Sequence, residues 1–383
     1  MALSITRKYN QVGHSRLITR NDVSTLSNYT STSITALAHA ILTGFGCNDS
    51  EATIVAEHLT DANLTGHDSH GIGMLPLYGG QLRDGNLVAN QTPLLHPPIG
   101  AISIVDAQRG FGHRMALLAL DHAMQTIPES KVAILGMRNS GHVSRVGTYS
   151  EYCAARGYVS IHMVNVVGHP PLVAPFGARE AGFSTNPISM AMPVEGKATP
   201  LLDIATSTVA FGKVRMASNK GEAMASGCLV DINGLETTDP DPMALRREGA
   251  LSAFGSYKGS GLGIFVEMLA GALVSKDTVA TMEHLPHGVI NNMFSIIIDP
   301  AAFDSSDDVA RRTMEFYDFI KSKPAAVGTD EVLMPGEPEI SSRQTRTSMG
   351  VPVDDETIKQ LLDIGESFSL NRESLINLLD KPS

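Results

Sequence analysis

The stretch that decides the fold is Lys131–Val166, KVAILGMRNSGHVSRVGTYSEYCAARGYVSIHMVNV. Lys131 to Met137 is mostly apolar and reads as a strand. Arg145 to Arg156 reads as a helix, and Tyr158 to Val166 as a second strand whose alternation is blurred by burial on both faces. Between the first strand and the helix runs Arg138-Asn139-Ser140-Gly141-His142-Val143-Ser144, a polar loop at the carboxyl end of a strand. Sites in α/β folds gather at that end, and the following helix start favours anions. Arg145 therefore reads either as a ligand for a carboxylate or phosphate or as a solvated helix charge.

Outward from this unit, strands and helices alternate in both directions. Ser33 to Asn63 reads as two helices around Gly44-Phe45-Gly46, with Asn48, Asp49 or Ser50 able to cap the second. After Pro93, Pro97 and Pro98, Ile102, Ile104 and Val105 suggest a strand, and Gly112 opens a helix over His113 to Gln125. Downstream come an apolar segment from Pro187 to Val194, a helix after Ser207, an apolar run from Gly261 to Leu273 and a strand at Ser295–Ile298. Helix returns at Asp307–Ile320 and Asp354–Leu379, with the polar Gly336-Glu337-Pro338-Glu339 between them. The expected organisation is a flexible basic extension over residues 1–28, a helical portion over 29–98, and an α/β cofactor- and substrate-binding core over 99–303. A C-terminal helical portion over 304–383 is expected to pack on the first helical portion.

The 383 residues carry 29 Lys and Arg against 40 Asp and Glu, a formal net charge of −11. That sign is wrong for a nucleic-acid backbone or an acidic membrane surface, so neither is an expected partner. Cys47, Cys153 and Cys228 are too widely spaced for a zinc knuckle or redox pair and read as buried small hydrophobes. No run approaches the roughly 18 consecutive apolar residues of a membrane span, and no apolar leader precedes a small-residue cleavage site. A soluble cytoplasmic protein is the expectation. Arg7, Lys8, Arg16 and Arg20, with no acid among them, make the mitochondrial matrix the alternative.

Three further segments carry polar chemistry. In His67-Asp68-Ser69-His70-Gly71, two histidines beside an acid suit helix capping, acid and base work near neutral pH, or metal ligation. In Leu201-Leu202-Asp203-Ile204-Ala205-Thr206-Ser207, an acid ends an apolar strand, either as part of an N-cap cluster or to bind ribose hydroxyls or orient a histidine. Tyr257-Lys258-Gly259-Ser260-Gly261-Leu262-Gly263 invites a dinucleotide fingerprint. However, Ile264 stands where its last glycine belongs, and no convincing strand precedes it, so a Rossmann loop is rejected. Close helix packing explains these glycines, and Lys258 is left as a cation at a helix start.

Taken in order, these segments resemble the type 2 malate/L-lactate dehydrogenase family. The likeness rests on Ala62-Asn63-Leu64 leading into His67 to Gly71, on Asn139-Ser140-x-His142, and on Thr185-Asn186-Pro187. It rests also on Asp203-x-Ala205-Thr206-Ser207 through Gly212-Lys213, and on Lys258-Gly259. His67 to Leu75, Gly227-Cys228-Leu229 and Leu333 to Glu337 fit its hydroxycarboxylate dehydrogenase branch. The resemblance implies a non-Rossmann α/β nicotinamide-binding fold, a helical portion from both chain ends, a homodimer, and NAD as cofactor with NADP as the alternative. It places Ser69, His70, His142 and Asp203 at the reacting centre. Cofactor contacts are implied for His70, Ser144, Arg145, Val146, Leu201, Leu202, Asp203, Ile204, Ala205, Lys258, Asn291, Gly336, Glu337, Pro338 and Glu339, with no metal.

The implied reaction is interconversion of a 2-oxo acid and its 2-hydroxy acid, with a histidine as proton donor. Several branches carry Arg where Met74 stands, and without that guanidinium a dicarboxylate has lost a bidentate partner. The expected substrate is therefore a monocarboxylate with an apolar or aromatic side chain. Reduction of a cyclic ketimine such as piperideine-2-carboxylate is the alternative, followed by malate or lactate oxidation proper and a metal-dependent hydrolase. Ser144 and Ser184 stand where glycines are common in the family, which alters the local backbone approach.

Overall fold

The computed structural model describes residues 26–194 and 199–380. The chain opens with β1 (Leu26–Tyr29), α1 (Ser31–Gly44), α2 (Asp49–Leu64), two 3-10 turns over 68–74, and α3 (Leu75–Arg83). There follow β2 (Leu94–Leu95), β3 (Ile102–Asp106), α4 (Gly112–Met124), α5 (Ile127–Ser130), β4 (Val132–Ser140), α6 (Gly147–Ala154) and β5 (Val159–Val167). The middle of the chain forms β6 (Ile188–Ala191), β7 (Leu201–Ile204), α7 (Phe211–Lys220), β8 (Leu229–Val230), β9 (Glu236–Thr237), α8 (Asp241–Arg246) and β10 (Ala250–Leu251). Then come α9 (Tyr257–Val266), which continues as π-helix to Ser275, β11 (Ile290–Ile298), α10 (Ser306–Lys321), α11 (Glu337–Met349), β12 (Val351–Asp354), α12 (Asp355–Ser367) and α13 (Arg372–Ile376).

A seven-stranded sheet in the order β2-β3-β4-β11-β5-β6-β7 forms the centre. Only β3 and β4 are parallel; every other neighbouring pair is antiparallel. A doubly wound nucleotide fold is built on parallel strands, so this mixed sheet is a non-Rossmann architecture. The last of these seven strands in sequence, β11, inserts between β4 and β5, which explains why its end, Ile296 to Ile298, is continuously apolar. Side chains from β4, β11, α4 and α6 close one face, with Met115, Leu120, Leu135, Met137, Tyr149 and Ile297 buried in a common cluster.

A second core joins the two ends of the chain. In α1, Ile34, Leu37, Ala38, Ile41 and Leu42 recur at helical spacing on the buried face. Thr30 Oγ1 accepts the Ser33 N–H at its start, and Asn48 Oδ1 accepts the Glu51 N–H at the start of α2. These apolar stripes pack with Val351, Val353, Leu361, Leu362 and Leu375, and β1 pairs with β12. Each such Leu or Ile contributes about 1.5–3 kcal/mol by leaving water, so the N-terminal helices depend on the C-terminal ones for their core.

Several boundaries differ from the sequence reading. Residues 26–28, assigned to the extension, are in β1, because Leu26 to Tyr29 finds a partner in Val351–Asp354. The basic residues Arg7, Lys8, Arg16 and Arg20 lie outside the described residues. Leu94 and Leu95, assigned to the helical portion, pair with β3 at the sheet edge. The polar segment Gly336 to Glu339 is no connector: it starts α11, with Gly336 at φ +96° and Pro338 in the first turn. Its helix carries no fully buried residue, so apolar periodicity could not announce it. The helix Tyr257–Ser275 is long and apolar enough to cross a membrane by length and composition, although Lys258 and Glu267 interrupt the apolar run. Here it packs across β4, β5 and β11, and its buried Glu267 accepts from Asn165 and Asn186. The three cysteines are free and buried.

Candidate active site

Asn63, at the end of α2, shapes the segment that follows it. Its Oδ1 accepts the Ile72 N–H at 2.9 Å and its Nδ2 donates to Asp68 at 2.7 Å, folding His67 to Gly71 into a tight 3-10 turn. Arg346 of α11 grips the same Asp68 through two nitrogens at 2.6 and 3.0 Å. Asp68 is thus consumed in holding the turn, and His67 faces Glu339 at 3.4 Å. What remains for chemistry is Ser69 and His70, whose Oγ and Nδ1 lie 3.0 Å apart.

The loop after β4 brings the second histidine to the first. Asn291 on β11 accepts the Val143 N–H at 2.9 Å, and its neighbour Asn292 accepts the Asn139 N–H at 2.8 Å. Gly112 allows the start of α4 to lie against this loop, since a Cβ there would run into the Gly141 and His142 carbonyl oxygens. Ser144, at φ +59°, donates from Oγ to the His70 carbonyl at 2.7 Å and locks the two segments together. A residue held at positive φ explains why glycine suits that position. The outcome is a pair of half-buried imidazoles, His70 and His142, with ring centroids 5.7 Å apart and planes 15° from parallel.

Each ring has one nitrogen already engaged: His70 Nδ1 by Ser69, and His142 Nδ1 by the Tyr78 hydroxyl at 2.8 Å. Burial, aided by the charges of His67 and Arg145, lowers His70 to about 4. Burial and the neighbouring histidines hold His142 well below the usual imidazole range. Both rings are therefore neutral near pH 7 in the free protein. The start of α7 lies against Ser69, for a Cβ on Gly212 would stand 3.1 Å from the Ser69 Cβ.

Arg145 is neither a solvated charge nor a free ligand for an anion. Its guanidinium is buried, bonded to both Glu151 oxygens at 3.0 and 3.1 Å, with Asp203 and Asp61 each at 3.6 Å. Burial works against its charge, but Glu151, Asp203 and Asp61 outweigh it and raise its pKa. Asp203 accepts the Gly147 N–H at 2.9 Å at the start of α6. Its burial nevertheless raises its pKa against the pull of Arg145, His67 and that N–H. Val146, next to Arg145, is buried just ahead of α6.

The other implied residues fall into two groups. Leu201, Leu202, Asp203 and Ile204 form β7, Ala205 follows, and Gly336 packs against Leu201 while the Leu201 N–H donates to the Pro335 carbonyl. Glu337 is occupied by Lys321, Tyr317 and the Met334 N–H, whereas Glu339 reaches back to His67. Lys258 is exposed on the first turn of α9, and its neighbour Gly259 lies close against the Thr206 carbonyl that accepts the Phe254 N–H. Asn291 is spent on the Val143 N–H and the Asn165 carbonyl. Of these, the Asp203 carboxylate on β7 and the exposed cation Lys258 are the chemical types that ribose hydroxyls and phosphates take as partners. Among the described residues no three His, Cys, Asp or Glu side chains converge as a metal site would require. Tyr78, His113, His58 and Asn63 escaped the sequence reading as site residues, because each sits on a helix face whose apolar neighbours look like ordinary core.

The comparisons with known proteins agree with this architecture. Hydroxycarboxylate dehydrogenase B of Escherichia coli (strain K12) is 38% identical over 338 residues, 88% of this chain and 93% of that protein. The delta(1)-pyrroline-2-carboxylate/delta(1)-piperideine-2-carboxylate reductase of Pseudomonas putida is 30% identical over 87% of this chain and 95% of its own. The solved structure of a putative malate/lactate dehydrogenase from E. coli superposes with a TM-score of 0.87 at 36% identity, covering 92% of this chain and 98% of that one. Since the sequence profile described as malate/L-lactate dehydrogenase also matches residues 29–362, the chain belongs to the malate/L-lactate dehydrogenase family and is an oxidoreductase of the 2-hydroxy acid dehydrogenase kind.

Proposed function

We propose that the enzyme interconverts a 2-oxo monocarboxylate bearing an apolar or aromatic side chain and its 2-hydroxy acid, using NAD. The observation that carries this reading is the parallel His70–His142 pair, each ring tethered through Nδ1 so that Nε2 is left for a ligand. A bound nicotinamide supplies or accepts the hydride. In the reducing direction His70, on the half-buried turn held by Ser69, delivers a proton to the substrate oxygen. His142 donates a hydrogen bond to the same oxygen and stabilises the charge that grows there. Because the free imidazoles are neutral, the substrate carboxylate has to raise His70 for it to carry that proton. Asp203 and Lys258 are assigned to the cofactor, Asp203 toward ribose hydroxyls and Lys258 toward phosphate.

Met74 supports the monocarboxylate assignment: it is packed against the helical core and offers no guanidinium to a second carboxylate. The ketimine reductase relative makes piperideine-2-carboxylate the appropriate competitor. A homodimer is proposed on the apolar side chains that α9 and its π extension leave exposed, Leu262, Phe265, Met268 and Leu273. The test is fluorescence titration of NADH and NADPH, followed by turnover of aryl and alkyl 2-oxo acids, oxaloacetate and the cyclic imine. NADH binding with preferred turnover of an aryl oxo acid is expected. Absence of nucleotide binding, or preference for the dicarboxylate or the imine, refutes the assignment.

A further inference from the structure

Tyr78 lies on α3 with 1% of its surface exposed, and its hydroxyl stands between two imidazoles. It is 2.8 Å from His142 Nδ1 and 3.5 Å from His113 Nε2. His113, fully buried on α4, meets His58 of α2 edge to face with centroids 4.8 Å apart. His113 Nδ1 is buried and has no hydrogen-bond partner among the described residues.

That orphan atom gives the chain of bonds a direction. Burial keeps His113 and His142 far below the usual imidazole range, so each ring carries a single hydrogen. If the His113 hydrogen were on Nδ1, a buried N–H would be left without an acceptor, which proteins avoid more strictly than an unused lone pair. The hydrogen therefore belongs on Nε2, pointing at the Tyr78 oxygen. A phenol has one hydrogen, and with His113 donating to it, that hydrogen goes to His142 Nδ1. His142 is left with its own hydrogen on Nε2.

We infer that Tyr78, backed by His113, is a positioning residue that holds His142 in the Nε2–H tautomer and so presents a hydrogen-bond donor to the substrate oxygen. The inference rests on the role proposed for His142 and adds what makes that role available. The device's two members lie on α3 and α4, so it also couples the helical portion of the molecule to the loop after β4. No proton leaves the chain; only hydrogen-bond directions are set.

The test uses the full-length protein labelled with 15N at histidine. In the wild type, imidazole nitrogen shifts are expected to show His142 protonated at Nε2 and His113 likewise; a His142 hydrogen on Nδ1 overturns the inference without any variant. In Tyr78→Phe, the His142 signals should move toward a mixture of tautomers, and kcat should fall about ten- to a hundred-fold, with the cofactor KM within about two-fold. Unchanged His142 shifts with unchanged kcat in Tyr78→Phe also overturn it. His142→Ala separates the two layers: if that variant keeps full kcat, the catalytic role of His142 fails, while the nitrogen shifts still decide whether Tyr78 sets its tautomer.

Discussion

Replacing Arg145 with Met tests whether one buried cation holds the helical portion, the sheet edge and the start of α6 together. The guanidinium is bonded to Glu151 through two nitrogens and lies 3.6 Å from both Asp61 and Asp203. After the change, Glu151 can turn toward water and Asp61 keeps its pairing with Arg343. Asp203, with 8% of its side chain exposed, retains only the Gly147 N–H. Removing one member of a buried pair costs about 3–5 kcal/mol. A 383-residue chain unfolds with an entropy of about 0.8 kcal/mol/K, so Tm should fall by about 4–6 °C.

The sign with pH follows from Asp203. Its folded pKa is already raised by burial, and without Arg145 it rises further. Protonating it removes the stranded charge, so the gap between variant and wild type should narrow as pH falls toward 5 and widen again above 7. Adding Asp203→Asn should restore most of the lost stability, a coupling that scanning calorimetry on the double-mutant cycle can read. A Tm within 1 °C of wild type, or strictly additive effects, would refute the buried-cluster account.

Other perturbations are sharp enough to decide. His70→Ala should lower kcat by about two to four orders of magnitude with the fold retained, and stopped-flow hydride transfer near wild-type rate would remove it as proton donor. Lys258→Ala should mainly raise the cofactor KM, and an unaltered KM would take it out of the site. Buried His58 and His162, lowered by burial to about 4 and about 3, and His113, held by burial well below the usual imidazole range, bind protons in the unfolded chain first. Stability should therefore fall as pH drops from about 6.5 toward 4, and a flat urea midpoint across that window would contradict it. Binding of a non-reacting oxo-acid analogue should take up a proton at His70, strengthening as pH drops below 7. Calorimetry in buffers of different ionisation heat would expose a pH-indifferent site.

The local elements were legible because their signals are local. The i, i+3, i+4 stripe of α1, the Asn48 cap, the strands β4 and β5 on either side of α6 and the unsuitability of Gly259–Ile264 for a dinucleotide loop all depend on residues within a turn or two of each other. The resemblance of five ordered segments carried the family and the histidine pair. Tertiary structure alone decided the rest. Insertion of β11 between β4 and β5, and of the C-terminal helices into the N-terminal core, are pairings across more than a hundred residues that no periodicity encodes. Arg145 has the same sequence signature whether it faces solvent or three carboxylates. Tyr78 and His113 are indistinguishable from core residues until packing aims a hydroxyl at His142. Sequence determined which side chains were available; burial, by stripping water from them, decided which ones could act.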